Sequence, residues 1–297
     1  MRVCLMIEGQ EGVEWDHWLA LADACERTGL EGLFRSDHYL SGFGGRERGT
    51  LDAWATLAAL AARTERIRLG TMVSPTTFRH PSDLAKVVTT VDHVSGGRVE
   101  VGLGAGWNEE EHEALGFDFP DLATRMAMLA EQLEVVTRQW AELNPKPVQE
   151  PHPPLIVGGA AGRRSLEIAV RFADEYNTTF ASPEECAQRR SRLHEACERQ
   201  GRDPQSMRFS LMTFGFVGGD RSEVERRRRR VAQAIGRSPD QVPRRNESAI
   251  VGTVEEVVAR LRAYEEAGVE RVMLQHLDHD DVAMVELLAT EVAPAVA

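Results

Sequence analysis

Strand-like and helix-like runs alternate along the whole of this 297-residue chain. Strands are predicted at 2–7, 33–34, 67–73, 98–103, 155–157, 176–180, 207–216 and 271–274. Helices with 3.6-residue apolar spacing are predicted at 15–28, 51–63, 81–94, 122–143, 164–173, 183–199, 253–267 and 282–292. Strict alternation implies a parallel sheet, and eight strand–helix units favour an α/β fold closed into a (β/α)8 TIM barrel. Residues 217–250 fall outside this rhythm. They carry Pro239, Pro243 and five consecutive arginines, Arg226 to Arg230, and are expected to form a surface excursion before the last unit, with the arginines spread over a solvated helix. A closed barrel places its functional loops at the C-terminal ends of the strands.

Composition narrows the partners. A net charge of −12 disfavours nucleic acid and anionic membrane surfaces. No apolar run approaches a membrane span and no secretory leader opens the chain, which predicts a cytoplasmic protein. Cys4, Cys25, Cys186 and Cys197 show no C-x-x-C spacing and are expected to be reduced thiols.

Gly102-Leu103-Gly104-Ala105-Gly106-Trp107 closes a predicted strand. A dinucleotide fingerprint needs G-x-G-x-x-G, and position 107 is Trp. A long acidic loop, 108–120, is predicted to follow. Glycines at a strand end let backbone pass close to a flat ligand. Ser36-Asp37-His38-Tyr39 closes the second strand, where a titratable imidazole beside a carboxylate serves either acid–base chemistry or loop structure. Gly158-Gly159-Ala160-Ala161-Gly162 runs from a strand into a helix, and is read as a phosphate cradle or as a tight turn. Arg79 stands before a helix, where structural pairing with an acid is the favoured reading. His276-Leu277-Asp278-His279 tempts a metal assignment, but its spacing is loose and no metal is expected.

Taken together, these pieces resemble the luciferase-like flavin and deazaflavin oxidoreductases. The matching stretches are Ser36-Asp37-His38-Tyr39, Leu51 to Leu60, Ile67 to Val73, Arg79-His80-Pro81, Ser95-Gly96-Gly97-Arg98, Gly102 to Trp107, Pro153 to Gly159 and Ile250-Val251-Gly252-Thr253, so the resemblance covers almost the whole chain. Within that group the branch using coenzyme F420, an 8-hydroxy-5-deazaflavin, is the most similar. The resemblance implies one luciferase-like barrel domain over 1–297. It also implies hydride transfer between bound F420 and a small organic substrate, with an FMNH2-dependent monooxygenase using oxygen as the alternative. His38 would be the proton donor or acceptor and Asp37 its orienting and cofactor-binding neighbour. Met72 and Val73 would form a cis, non-prolyl bulge behind the ring. Ala105 and Gly106 would touch the cofactor, and Gly158, Gly159 and Ala160 its phosphate. Arg79, Arg163 and Arg164 are candidates for its anionic tail. A homodimer through the helices at 51–63 and 81–94 is expected. Gly42 and Trp107 depart from the branch that oxidises glucose 6-phosphate, which argues against that substrate. The segment 140–148 looks shorter than in close relatives, lacking their hairpin over the substrate pocket. A non-catalytic cofactor carrier and a metal hydrolase at His276 and His279 are the remaining rivals.

Overall fold

A computed structural model describes residues 1–43, 47–242 and 248–297. Positions 44–46 of the loop after the second strand and 243–247 of the excursion, Pro243 included, lie outside the described residues.

Eight parallel strands close the barrel: β1 (Arg2–Ile7), β2 (Gly32–Arg35), β3 (Arg68–Thr71), β5 (Val99–Gly104), β6 (Leu155–Gly158), β7 (Glu175–Thr179), β8 (Arg208–Gly218) and β10 (Arg271–His276). β10 seals it by pairing with β1, Arg2 opposite Arg271, and with β8, Ser210 opposite Arg271. A two-residue strand, β4 (Ser74–Pro75), continues past β3 against the end of β5. Several helices of the barrel layer begin where local chemistry satisfies their first N–H groups. α1 (Trp15–Thr28) carries a Glu14/His17 capping box and stops at Gly29, whose φ is 88°. α2 (Ala53–Ala61) is capped by Asp52, and α3 (Pro81–Ser95) by His80 with Pro81 in its first turn.

Strand alternation builds two apolar layers. Inward faces supply Cys4, Met6, Phe34, Met72, Ile156, Met212 and Met273, which fill the lumen. Outward faces, with Leu5, Leu33, Leu69, Val101 and Val157, pack under the helices against Trp18, Trp54 and Leu133. Burying one such side chain is worth roughly 1.5–3 kcal/mol, so the outward layer dominates stability. All four cysteines are buried and free. Among the described residues no helix is long and apolar enough to cross a membrane.

Two expectations are corrected. Residues 108–120 are not all loop: Asn108 caps the helix α4 (Glu109–Leu115), Glu109, Glu110 and Glu111 complement the dipole in its first turn, and Gly116 ends it at φ 74°. The excursion also contributes to the sheet and to the core. β8 runs to Gly218, α8 (Arg221–Ala234) follows, and β9 (Ile250–Thr253) pairs with the distal half of β8 before α9 (Val254–Glu266). The arginine run is not a solvated face: Arg227 and Arg228 are buried. Arg227 donates to Asp281 at 2.7 Å and to Val217 O at 2.8 Å, and Arg230 to Asp278 at 2.5 Å. One arginine face of α8 is therefore neutralised against the loop after β10.

Candidate active site

The Met72–Val73 peptide is cis, and the chain bulges there between β3 and β4. The bulge explains the glycines of β5. A Cβ on Gly104 would lie 2.7 Å from Val73 Cγ2, and one on Gly102 would lie 3.0 Å from Val73 Cγ1 and 2.1 Å from Thr71 O. On β6, a Cβ at Gly158 would lie 3.2 Å from Val73 Cγ1. Gly102, Gly104 and Gly158 thus form a trough without side chains that seats Val73 at the mouth. The glycines expected to admit a flat ligand directly do so at one remove, by admitting the platform on which such a ligand can lie. Gly106 is set by its backbone, with φ 80°. Ala105 beside it is half-buried at the mouth.

His38 follows the C-terminal end of β2, with its side chain 12% exposed. Its Nδ1 lies 2.7 Å from Glu111 Oε2. Glu111 has no exposed side-chain surface, and its Oε1 also accepts the backbone N–H groups of Tyr39 and Leu40, the latter at 3.0 Å. Burial works to lower the His38 pKa, but the hydrogen bond and charge of Glu111 outweigh it, and the imidazole is held above its ordinary value. Burial likewise opposes the Glu111 carboxylate, and His38 with the Tyr39 and Leu40 amides keeps it below the usual range. With Nδ1 committed, Nε2 has no partner among the described residues and is the atom left to exchange a proton. The exposed ring of Trp107 meets the imidazole edge-on at 5.5 Å.

Asp37 does not orient His38. It is buried, accepts Ser74 Oγ at 2.6 Å, and is gripped by both terminal nitrogens of Arg79. Arg79 also bonds Asp52 at 2.8 Å, and Ser74 accepts Trp54 Nε1 at 3.1 Å. Asp37 is therefore the clamp joining the end of β2 to β4, α2 and α3, and Arg79 is spent on acids as expected. Glu111 is the carboxylate that the sequence reading missed. Its signals were Asn108 as a helix cap and Gly116 as a helix stop.

The 158–162 turn fits an anion, with one revision. Gly159 N–H donates to Asn177 O at 3.0 Å and Ala161 N–H to Tyr176 Oη at 2.8 Å, so neither is free. A Cβ at Gly159 would strike Tyr176 Oη at 2.6 Å, so this glycine keeps the turn closed against β7. The donors that remain belong to Ala160 and to the first turn of α6 (Arg163–Phe172), which no side chain caps. Arg163 is paired with Glu167 at 2.8 Å. Asn177 supplies a further sign of a missing partner. Its Nδ2 donates to Ser210 Oγ at 2.8 Å, while its fully buried Oδ1 has no partner. It stands level with Gly158 on the inward face. A platform at Val73, an unpartnered acceptor at Asn177 and an uncapped helix end together fit a flat, hydrogen-bonding ring with a phosphate tail.

His276 points outward behind the barrel wall, not into the mouth, and its Nε2 and that of His279 have no hydrogen-bond partner among the described residues. Burial lowers their pKa values to about 4 and about 3. Among the described residues no three His, Cys, Asp or Glu side chains gather to hold a metal.

The family model for luciferase-like monooxygenases matches residues 3–271, and the chain belongs to that family. An uncharacterised protein of Mycobacterium tuberculosis is 38% identical over 44% of this chain and 50% of its own length. An F420-dependent glucose-6-phosphate dehydrogenase of Amycolatopsis mediterranei is 34% identical over 40% of this chain and 36% of its own. An FMNH2-dependent dimethylsulfone monooxygenase of Pseudomonas putida is 27% identical over 60% and 52%. The chain spans about half or less of the length of the curated relatives it matches. An F420-dependent secondary alcohol dehydrogenase superposes over 100% of this chain and 99% of its own with a TM-score of 0.83 at 21% identity, which shows the shared barrel fold. The family thus includes F420-dependent dehydrogenases and FMNH2-dependent monooxygenases.

Proposed function

We propose that this protein is a coenzyme F420-dependent oxidoreductase that moves a hydride between the bound deazaflavin and a small organic substrate. The observation that carries the reading is the His38–Glu111 pair, an imidazole at the end of the second strand whose pKa a buried carboxylate holds above its ordinary value, with Nδ1 committed and Nε2 without a partner among the described residues. When bound, the deazaflavin supplies a carbon that accepts or donates hydride and reacts poorly with oxygen. Reduction of a carbonyl then needs one proton on oxygen, which His38 Nε2 is placed to give; oxidation of an alcohol needs it taken away by the same atom. Val73 would support the ring, Asn177 Oδ1 would accept one of its N–H groups, and the first turn of α6 would hold the phosphate. Asp37 and Arg79 keep the bulge and the end of β2 in register.

Titration of the apoprotein with deazaflavin and with flavin mononucleotide tests this. Tighter binding of deazaflavin is expected; equal or tighter binding of flavin mononucleotide, with oxygen consumed when it is reduced, moves the assignment to a monooxygenase.

A further inference from the structure

The mouth holds one carboxylate that no cation pairs with among the described residues. Glu8 follows Cys4 and Met6 on the inward face of the first strand and is 8% exposed. Its Oε1 accepts Gln275 Nε2, from the inward face of β10, and its Oε2 accepts Gln10 Nε2 at 2.8 Å. Gln10 Oε1 in turn accepts Ser36 Oγ at 2.6 Å. Every partner in this chain of bonds is neutral. A carboxylate offers about four acceptor sites, and two side-chain amides leave about two.

Most of the cations nearby are already committed to acids. Among the described residues bordering the mouth, Arg48 is spent on Glu11, Arg79 on Asp37 and Asp52, Arg227 on Asp281 and Arg230 on Asp278. His38 is balanced by Glu111, and Glu8 stands within Coulombic reach of it. Once these pairs are set aside, Glu8 keeps only neutral hydrogen-bond partners beside the imidazole; Arg35 reaches it as a charge but spends its own bonds on the carbonyls of Ser36, Leu51 and Asp52. Burying a charge with neutral partners alone is costly, and a ligand that donates to it recovers that cost.

We propose that Glu8 selects the substrate: the pocket takes an organic molecule that presents a hydroxyl or ammonium donor to the Glu8 carboxylate, and it rejects carboxylates and phosphates. A donor gains a charge-assisted hydrogen bond in a partly dry site, whereas an anion meets the repulsion of a carboxylate that no described arginine bridges. This rests on the mouth being the active site, as proposed above, and is independent of which cofactor lies there.

The test is binding without turnover. Pentylammonium, 1-pentanol and pentanoate are titrated into the full chain loaded with whichever cofactor binds, and the His38 Cε1–H resonance is followed. The ammonium and the alcohol should shift it and bind about tenfold or more tightly than the carboxylate. Glu8→Gln should abolish that preference and leave cofactor affinity intact. Pentanoate binding as well as pentylammonium to the unmodified protein overturns the proposal whether or not the variant folds. So does a preference that survives in a folded Glu8→Gln, or a His38 signal that none of the probes moves. Failure of deazaflavin to bind, with the probe preference intact, would sink the cofactor assignment and leave Glu8 in place.

Discussion

The two ends of the barrel treat buried polar groups in opposite ways. At the N-terminal floor Arg271 donates to Glu100 Oε2 and Glu175 Oε2, each at 2.7 Å, and to an Oε1 of each at 3.2 Å. Arg68 also bonds Glu100, and Arg208 lies 3.6 Å from Glu175. Burial raises the Glu100 pKa, but Arg271 and Arg68 overcome it and hold it at about 2. Both carboxylates and the guanidinium are thus fully answered. At the mouth, Asn177 Oδ1, His38 Nε2, Glu8 and the start of α6 each have capacity to spare. Saturated polar groups fix a fold, whereas groups left short at the other end of the same barrel are the ones a ligand would complete.

The largest effect should come from breaking the mouth. His38→Ala should lower turnover by about 10²–10⁴-fold with little change in urea unfolding. A fall of less than about threefold would remove His38 from proton transfer. Breaking the floor should do the reverse. Arg271→Met takes the shared, fully buried cation from two buried carboxylates, leaving Glu100 only Arg68 and Glu175 only Arg208, and should cost about 3–5 kcal/mol of stability while cofactor affinity in the remaining folded protein holds. A comparable loss of affinity would show that the two ends are not separable.

Glu111→Gln sharpens the comparison through pH. His38 is raised in the native protein, so the imidazolium persists above the usual 6.5 and is lost as pH rises through the raised value. Without the Glu111 charge and its hydrogen bond to an anion, burial is opposed only by the weaker effects of Glu8 and Asp37, and the midpoint moves to lower pH. Proton-dependent turnover at neutral pH should then fall with it. An NMR titration of His38 whose midpoint does not move would show that Glu111 merely packs.

The barrel was legible because strand and helix periods alternate so regularly; observed boundaries fall within a few residues of those expected. The mouth was legible only where its signal is local. Asp37-His38 and the Gly158-Gly159 turn announce themselves, but the partner of His38 lies 73 positions away, and no local pattern joins the two. Three successive glutamates at 109–111 look like a solvated loop until Asn108 and Gly116 are weighed as helix signals. Arg227 looked like a surface charge because its answering carboxylate, Asp281, is 54 residues away. The roles of Gly102 and Gly104 depend on where Val73 turns, which strand propensity does not reveal.

The smallest expected effect is also the most discriminating. Asn177→Ala removes a buried acceptor that the protein leaves unbonded, together with a donor that Ser210 uses. Losing the bond to Ser210 costs about 0.5–1.5 kcal/mol, and removing the unsatisfied carbonyl returns a comparable amount, so unfolding free energy should change little. Cofactor affinity should nevertheless fall by roughly three- to tenfold, since the ring loses one hydrogen bond of that strength. Urea unfolding and cofactor titration on the same preparation separate the two effects. A variant with unchanged affinity and clearly lower stability would place Asn177 with the floor, as a group whose bonds serve the fold, and the unpartnered oxygen would then carry no information about a ligand.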